Sequence, residues 1–290
     1  MKYALPFLSL AASSLCALSV LATDLQAEEA KGPKADDNLN AVLWDQTAVE
    51  AKATMAQAYV LARIRFDEAL ADKSRTADPS VQSGDFANKP PAVVLDVDDT
   101  VLNTSQYQAW NVKGGTSFSP KTWTAYVRAK IDTAIPGAVE FTQYAASKGA
   151  KVFYVSNRTK EEEPATAERL KELGFPMGGN VDTLLTAKEM EDWGSAKGTR
   201  RAFIARDYRL LLLVGDNLGD FTDAYKGSIE ERQKVFDDNA AHWGKDWIAL
   251  PNPTYGSWES AAYGHDFKTP PEEQRQKKID ALKTWSGPAQ

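Results

Sequence analysis

Thiols and imidazoles are scarce in this 290-residue chain, which has one cysteine and two histidines. Cys16 lies inside the apolar run Phe7 to Leu21, so nothing beyond that run can form a disulfide or act as a thiolate. His242 and His265 both fall in the C-terminal part, which leaves a zinc centre without its usual ligands. Positive charge is not in excess either. The formal charge of -6 argues against a nucleic-acid polymer or an anionic membrane as partner and leaves small charged molecules open. No glycine-rich phosphate loop of the kinase or GTPase kind is present, and Ser156 lacks the Gly-x-Ser-x-Gly setting of a serine hydrolase. No apolar run after the first one reaches membrane-spanning length, which excludes an ion-pumping ATPase.

What is present begins with an export pattern over residues 1–22. Lys2 supplies the positive start, Phe7 to Leu21 the apolar stretch, and Ala22 a small residue for cleavage. A membrane anchor competes with this reading, but the run is broken by serines and short for a spanning helix. Lipidation at Cys16 is a third reading, against which stands the bulky Leu15 where a small residue is expected. The expected location is outside the cytoplasm, periplasmic, with an outer-membrane lipoprotein as the alternative. Residues 23–40 are charged and aperiodic, a flexible tether. In residues 41–90, Trp44, Ala48, Ala51, Met55, Ala58, Ala62, Phe66 and Ala69 recur at steps of three and four. That spacing predicts one long helix over Val42 to Leu70, followed by a linker rich in proline from Ala77 to Pro91.

From 91 to 269 short apolar runs alternate with helical stretches, the signature of an α/β fold with a parallel sheet covered on both faces. Ala92 to Leu95 ends in Asp96, Lys151 to Val155 in Ser156, and Leu210 to Val214 in Gly215 and Asp216. Ligands of such sheets bind at the carboxyl ends of the strands, so these endings should converge. An insert over 103–135, carrying Tyr107, Trp110, Phe118, Trp123 and Tyr126, predicts a small, mainly helical cap. Residues 270–290 read as a polar tail.

The chemistry rests on acids. Asp96 and Asp98 are separated by one residue, and Asp216 and Asp220 follow another buried run. Such a cluster repels itself unless a cation is shared, and an all-oxygen set favours Mg²⁺ over zinc. Phosphate transfer suits the arrangement: cation and lysine offset the charge of a phosphate monoester so that a carboxylate can attack phosphorus. A second carboxylate nearby can then protonate the leaving oxygen.

Three stretches carry a family resemblance: Asp96-Val97-Asp98-Asp99-Thr100, Ser156-Asn157-Arg158, and Gly215-Asp216-Asn217-Leu218-Gly219-Asp220. With Leu43-Trp44-Asp45-Gln46-Thr47 and Leu250-Pro251-Asn252-Pro253-Thr254-Tyr255, they resemble the class C bacterial acid phosphatases of the haloacid dehalogenase superfamily. The resemblance implies a Rossmann-like parallel sheet with a helical cap, and hydrolysis of phosphate monoesters, nucleoside 5′-monophosphates included, through an aspartyl phosphate. It implies Asp96 as nucleophile and metal ligand, and Asp98 as general acid and base that also offers its main-chain carbonyl to Mg²⁺. Asp216 would be the remaining ligand, Asp220 a supporting carboxylate, and Ser156 a phosphate donor. Lys188 and Lys197 both precede the third run, and the family's placement favours Lys197 for the phosphate. It further implies a homodimer. Asp99 stands where the family usually has Glu. Tyr107, Trp110 and Tyr255 are candidates to stack on a nucleobase. A ligand-binding protein on an inactive scaffold is the competing function.

Overall fold

The computed structural model describes residues 36–287. The expected leader, Cys16 and most of the tether lie outside the described residues. The expected single helix is two: α1 (Leu39–Thr47) and α2 (Val49–Ala71), separated at Ala48, whose backbone is extended (ψ 129°). The break lets each helix cover a different neighbour. α2 buries Ala51, Met55, Tyr59, Ala62, Phe66 and Ala69, the three-and-four stripe, against the sheet. It is therefore one layer of the main core and no appendage.

The segment expected as a linker is likewise built in. Ala77 donates its amide to Leu210 and accepts from the Trp247 indole, both at 2.8 Å. Gln82, buried, accepts the amide of Leu210 at 3.0 Å and donates to Tyr208. β1 (Pro91–Leu95) follows, then a two-stranded antiparallel ribbon of β2 (Leu102–Asn103) and β3 (Thr133–Ala134). This ribbon brackets the insert, which holds α3 (Ser105–Gly114) and α4 (Pro120–Ala129). α1 packs on α3. Inside the insert Tyr107, Trp110, Phe118, Trp123 and Tyr126 pack on one another, with Tyr107 to Trp123 ring centres 5.0 Å apart.

The chain then alternates: α5 (Ala138–Ser147), β4 (Lys151–Thr159), α6 (Glu163–Glu172), β5 (Leu184–Ala187), α7 (Gly198–Ala205) and β6 (Arg209–Gly215). α8 (Ile229–Asp238), β7 (Trp247–Ala249), α9 (Ser257–Ala261) and α10 (Pro271–Asp280) complete it. The expected polar tail thus contains a helix. Gly149 and Gly174, at φ 85° and 90°, close α5 and α6 in the left-handed region that glycine enters without strain.

The main sheet is parallel in the order β5-β4-β1-β6-β7. Burial on both faces explains its continuous apolar runs. Along β1, Val93 and Leu95 enter the core beneath α2 and α5, while Ala92 and Val94 enter the opposite core with Phe153, Ile204 and Trp247. After β1 the chain moves out through β4 to β5, then returns to the other side for β6 and β7, so the order reverses at the central strand. Among the described residues no helix is long and apolar enough to cross a membrane.

Candidate active site

Asp96 is the first residue past β1 and its amide donates to Val214 of β6 at 2.9 Å, so the two strand tips are tied side by side. The chain then turns sharply: Asp99 adopts φ 56°, and its amide donates to Leu102 at 2.7 Å. An aspartate tolerates this left-handed conformation better than most residues. Its carboxylate accepts from the Thr104 amide at 2.9 Å and the Thr104 hydroxyl at 2.7 Å, fastening the turn to the start of α3. Burial raises Asp99 to about 7 against these hydrogen bonds.

Asp96, Asp216 and Asp220 can each turn one carboxylate oxygen into a space where all three lie within 4.8 Å of one another. Lys197, which precedes α7, sends its Nζ to Asp96 Oδ1 and to Asp220 Oδ1, the latter at 2.6 Å. Asp220 is held from behind by the Asn217 amide at 2.8 Å. Asp216 accepts from Thr100 Oγ1 at 3.0 Å and from Asn252 Nδ2 at 2.9 Å. Burial drives Asp96 up to about 7, Lys197 opposing and Asp220 and Asp98 adding to it. Burial likewise drives Asp216 well above the carboxylate range, with Asp220 and Asp96 reinforcing it. Crowded, desolvated carboxylates of this kind are uncomfortable as bare anions, and the all-oxygen set suits a hard divalent cation.

The Asp98 carboxylate points elsewhere. Arg158 Nε donates to its Oδ1 at 2.9 Å, and the same fully buried guanidinium reaches Asp132 at 3.2 Å and Thr166 at 3.1 Å. Burial pushes Asp98 up and Arg158 pulls it down. Its expected metal contact was the main-chain carbonyl, so the side-chain direction does not bear on it. Ser156 is fully buried and lies inside β4, which runs three residues past it to Thr159, so it caps no helix. Its Oγ accepts from the Arg158 amide at 3.0 Å. Lys188 is exposed beside β5 and makes no side-chain contact with the cluster among the described residues, leaving Lys197 as the lysine of the site.

The aromatic candidates separate. Tyr107 is 2% exposed, its hydroxyl bonded to Thr122 at 2.9 Å, so it is the centre of the cap's own packing. Trp110 stacks on it from outside and is half exposed. Tyr255 alone of the three stands among the acids: burial raises its phenol far up, with Asp99, Asp216, Asp98 and Asp96 adding to the effect. Asn252, Thr100 and Arg158 were given no role from sequence, although each sits in a motif that was visible there.

The class these features define is a parallel α/β-sheet protein whose strand tips gather carboxylates and a lysine, a setting for a hard cation and an anionic ligand. The family model for the acid phosphatases, subfamily IIIB of the HAD (haloacid dehalogenase) superfamily, matches residues 8–258. A class C acid phosphatase from Bacillus anthracis is similar at 34% identity and TM-score 0.76, over 86% of this chain and 97% of that one. The same enzyme with tungstate bound gives a TM-score of 0.75 at the same identity and coverage. A stem 28 kDa glycoprotein of Glycine max is 23% identical over 168 residues, 56% of this chain and 58% of the glycoprotein. The chain therefore spans little more than half the length of that curated relative. The chain belongs to the HAD subfamily IIIB acid phosphatases.

Proposed function

We propose that the chain hydrolyses phosphate monoesters, nucleoside 5′-monophosphates among them, with Mg²⁺ as its cation and Asp96 as the residue transiently phosphorylated. The observation that carries this reading is the position of the Asp96 carboxylate: at the central strand tip, bonded to Lys197 and facing Asp216 and Asp220.

Asp96, Asp216 and the main-chain carbonyl of Asp98 would hold the cation, with Asp220 fixing Lys197 beside them. When bound, Mg²⁺ supplies charge neutralisation at the phosphate oxygens. Lys197 and the Ser156 hydroxyl bind the remaining oxygens and orient phosphorus toward Asp96 Oδ. The carboxylate forms a bond to phosphorus as the ester P–O bond breaks, and Asp98 gives its proton to the departing alkoxide. Water then attacks the acyl phosphate, Asp98 takes back a proton, and phosphate leaves with Asp96 restored. Burial of Asp98 favours the protonated form the first step needs, and Arg158 favours the anion the second step needs.

Export follows from the leader pattern of residues 1–22, with release as a free periplasmic protein and an anchor at Cys16 as the alternative that the mass of the mature N-terminus decides. A homodimer, read by light scattering, belongs to the same proposal. Turnover of an aryl phosphate is measured with and without Mg²⁺ for wild type and Asp96→Asn. The substitution should lower kcat about a thousand-fold or more. Metal-dependent turnover that survives it would remove Asp96 from this role. For Tyr255→Ala, an unchanged preference for nucleoside monophosphates over small aryl phosphates would remove Tyr255 from substrate selection.

A further inference from the structure

Four arginines are buried among the described residues: Arg158, Arg200, Arg201 and Arg209. Arg158 meets Asp98 and Asp132, and Arg201 meets Asp78 at 2.6 Å. Arg209 is spent on main-chain carbonyls at the end of α2 and just beyond, far from the strand tips. Arg200 is fully buried and, like Arg209, pairs with no carboxylate among the described residues; it differs in that its bonds fall on the segments that carry Ser156 and Lys197.

Its guanidinium is committed to two short segments. One terminal nitrogen donates to the Ser156 carbonyl. The other donates to Asn157 Oδ1 at 2.7 Å, to the Gly194 carbonyl at 2.9 Å and to the Ala196 carbonyl at 3.3 Å. Nε has no partner. The first segment is the stretch of β4 that carries Ser156; the second is the loop that ends in Lys197. Asn157 repeats the tie from the exposed side, donating to the Ser195 carbonyl at 3.0 Å. A buried cation without a counter-ion is costly unless its surroundings and its field are put to use. Burial lowers Arg200 to about 10, still charged at physiological pH, and Asp96 and Asp220 act against that lowering, so its charge is felt in the pocket.

We propose that Arg200 is the positioning residue of the phosphate pocket: one planar fork sets the spacing between Ser156 and Lys197 so that both meet the same phosphate dianion. This rests on the reading of Ser156 and Lys197 as the phosphate-binding pair. The fork is essential to the idea, because a lysine keeps the charge but presents a single nitrogen that cannot span both segments. Small displacements of such groups have large effects on the orientation of a reacting phosphate.

The test uses the full chain and inorganic phosphate as competitive inhibitor. Arg200→Lys should weaken phosphate inhibition and raise KM for an aryl phosphate together, each by about tenfold. The Mg²⁺ concentration for half-maximal activity should stay at the wild-type value, since the carboxylate cluster is not what Arg200 holds. Guanidinium ion should recover part of the phosphate affinity in Arg200→Ala and none in wild type. If neither Arg200 variant folds, Asn157→Ala serves: the residue is exposed, it removes a contact from each segment, and it should weaken phosphate inhibition about threefold with the melting temperature unchanged. Wild-type phosphate inhibition in Arg200→Lys, or in Asn157→Ala, overturns the proposal. So does a loss shared equally by phosphate and Mg²⁺ affinity without guanidinium rescue, the pattern of a residue that only supports the fold. Lys197→Ala separates the two ideas. If it leaves phosphate inhibition unaltered, the pocket reading is what fails; if it abolishes inhibition while the Arg200 variants do not weaken it, Arg200 alone is wrong.

Discussion

Replacing Lys197 by methionine removes the one ammonium that joins Asp96 and Asp220, and the consequence can be sized. The three side chains are 6%, 9% and 6% exposed for Lys197, Asp96 and Asp220. Removing one member of a buried ion pair costs about 3–5 kcal/mol, because the remaining charge stays desolvated. For a chain of this size each kcal/mol moves the melting point by about 2–4 °C, so Lys197→Met should melt roughly 6–20 °C below wild type at pH 8 without divalent ions. The pH dependence has a definite sign. Asp96 is already raised to about 7 by burial with the lysine in place, and loss of the lysine raises it further. A carboxyl whose folded pKa lies above its unfolded value stabilises the fold below the unfolded pKa, and that contribution is lost as pH rises through the folded one. The gap between variant and wild type should therefore close toward pH 5 and widen above pH 7. Mg²⁺ should recover part of it, about 2.7 kcal/mol at a hundred times its dissociation constant. Thermal melts across pH, with and without Mg²⁺, read all of this. A variant that melts within about 2 °C of wild type at pH 8 in the absence of divalent ions would refute the reasoning.

Asn252 donates to Asp216 from the loop that follows β7. Asn252→Ala should raise the Mg²⁺ requirement about tenfold while phosphate inhibition at saturating Mg²⁺ holds, as titration of activity against the metal will show. Asp45, buried on α1 and raised by desolvation against hydrogen bonds from Asn103 and Ser105, destabilises the fold once ionised. Asp45→Asn should melt a few degrees higher than wild type at pH 8, with the difference vanishing near pH 4 because both side chains are then neutral.

The sequence already contained the parts that local physics sets. Apolar runs ending in Asp96 and Asp216 predict parallel strands with acidic tips, and these two tips do meet, while the run reaching Ser156 continues as strand to Thr159. Lys197 lies next to Asp96 as the family placement implies. What was not legible depends on long-range packing. The break at Ala48 has no glycine or proline to announce it; it suits α1 lying on the insert while α2 lies on the sheet. The segment after Ala77 reads as a spacer by its prolines, yet its backbone is consumed by Leu210 and Trp247, residues far along the chain. Tyr107 carries the same ring chemistry as Tyr255, and only the fold turns one into the aromatic filling of the insert and the other toward the carboxylates. Nothing in the sequence marks Arg158 or Arg200 as buried, because the burial of Arg158 requires Asp98, Asp132 and Thr166 of α6, and that of Arg200 requires acceptors from β4 and the loop before α7.

The ribbon of β2 and β3 brings the two ends of the insert side by side, with Leu102 opposite Ala134 and Asn103 opposite Thr133. The helices between them leave and rejoin the scaffold at a single doorway, so a longer, shorter or differently folded excursion there has to keep only Thr104 on Asp99 and Asp132 on Arg158 for the turn after β1 to stay in place. Under the proposed function, exchange at that doorway alters selectivity for the organic half of an ester while the acidic cluster keeps its place.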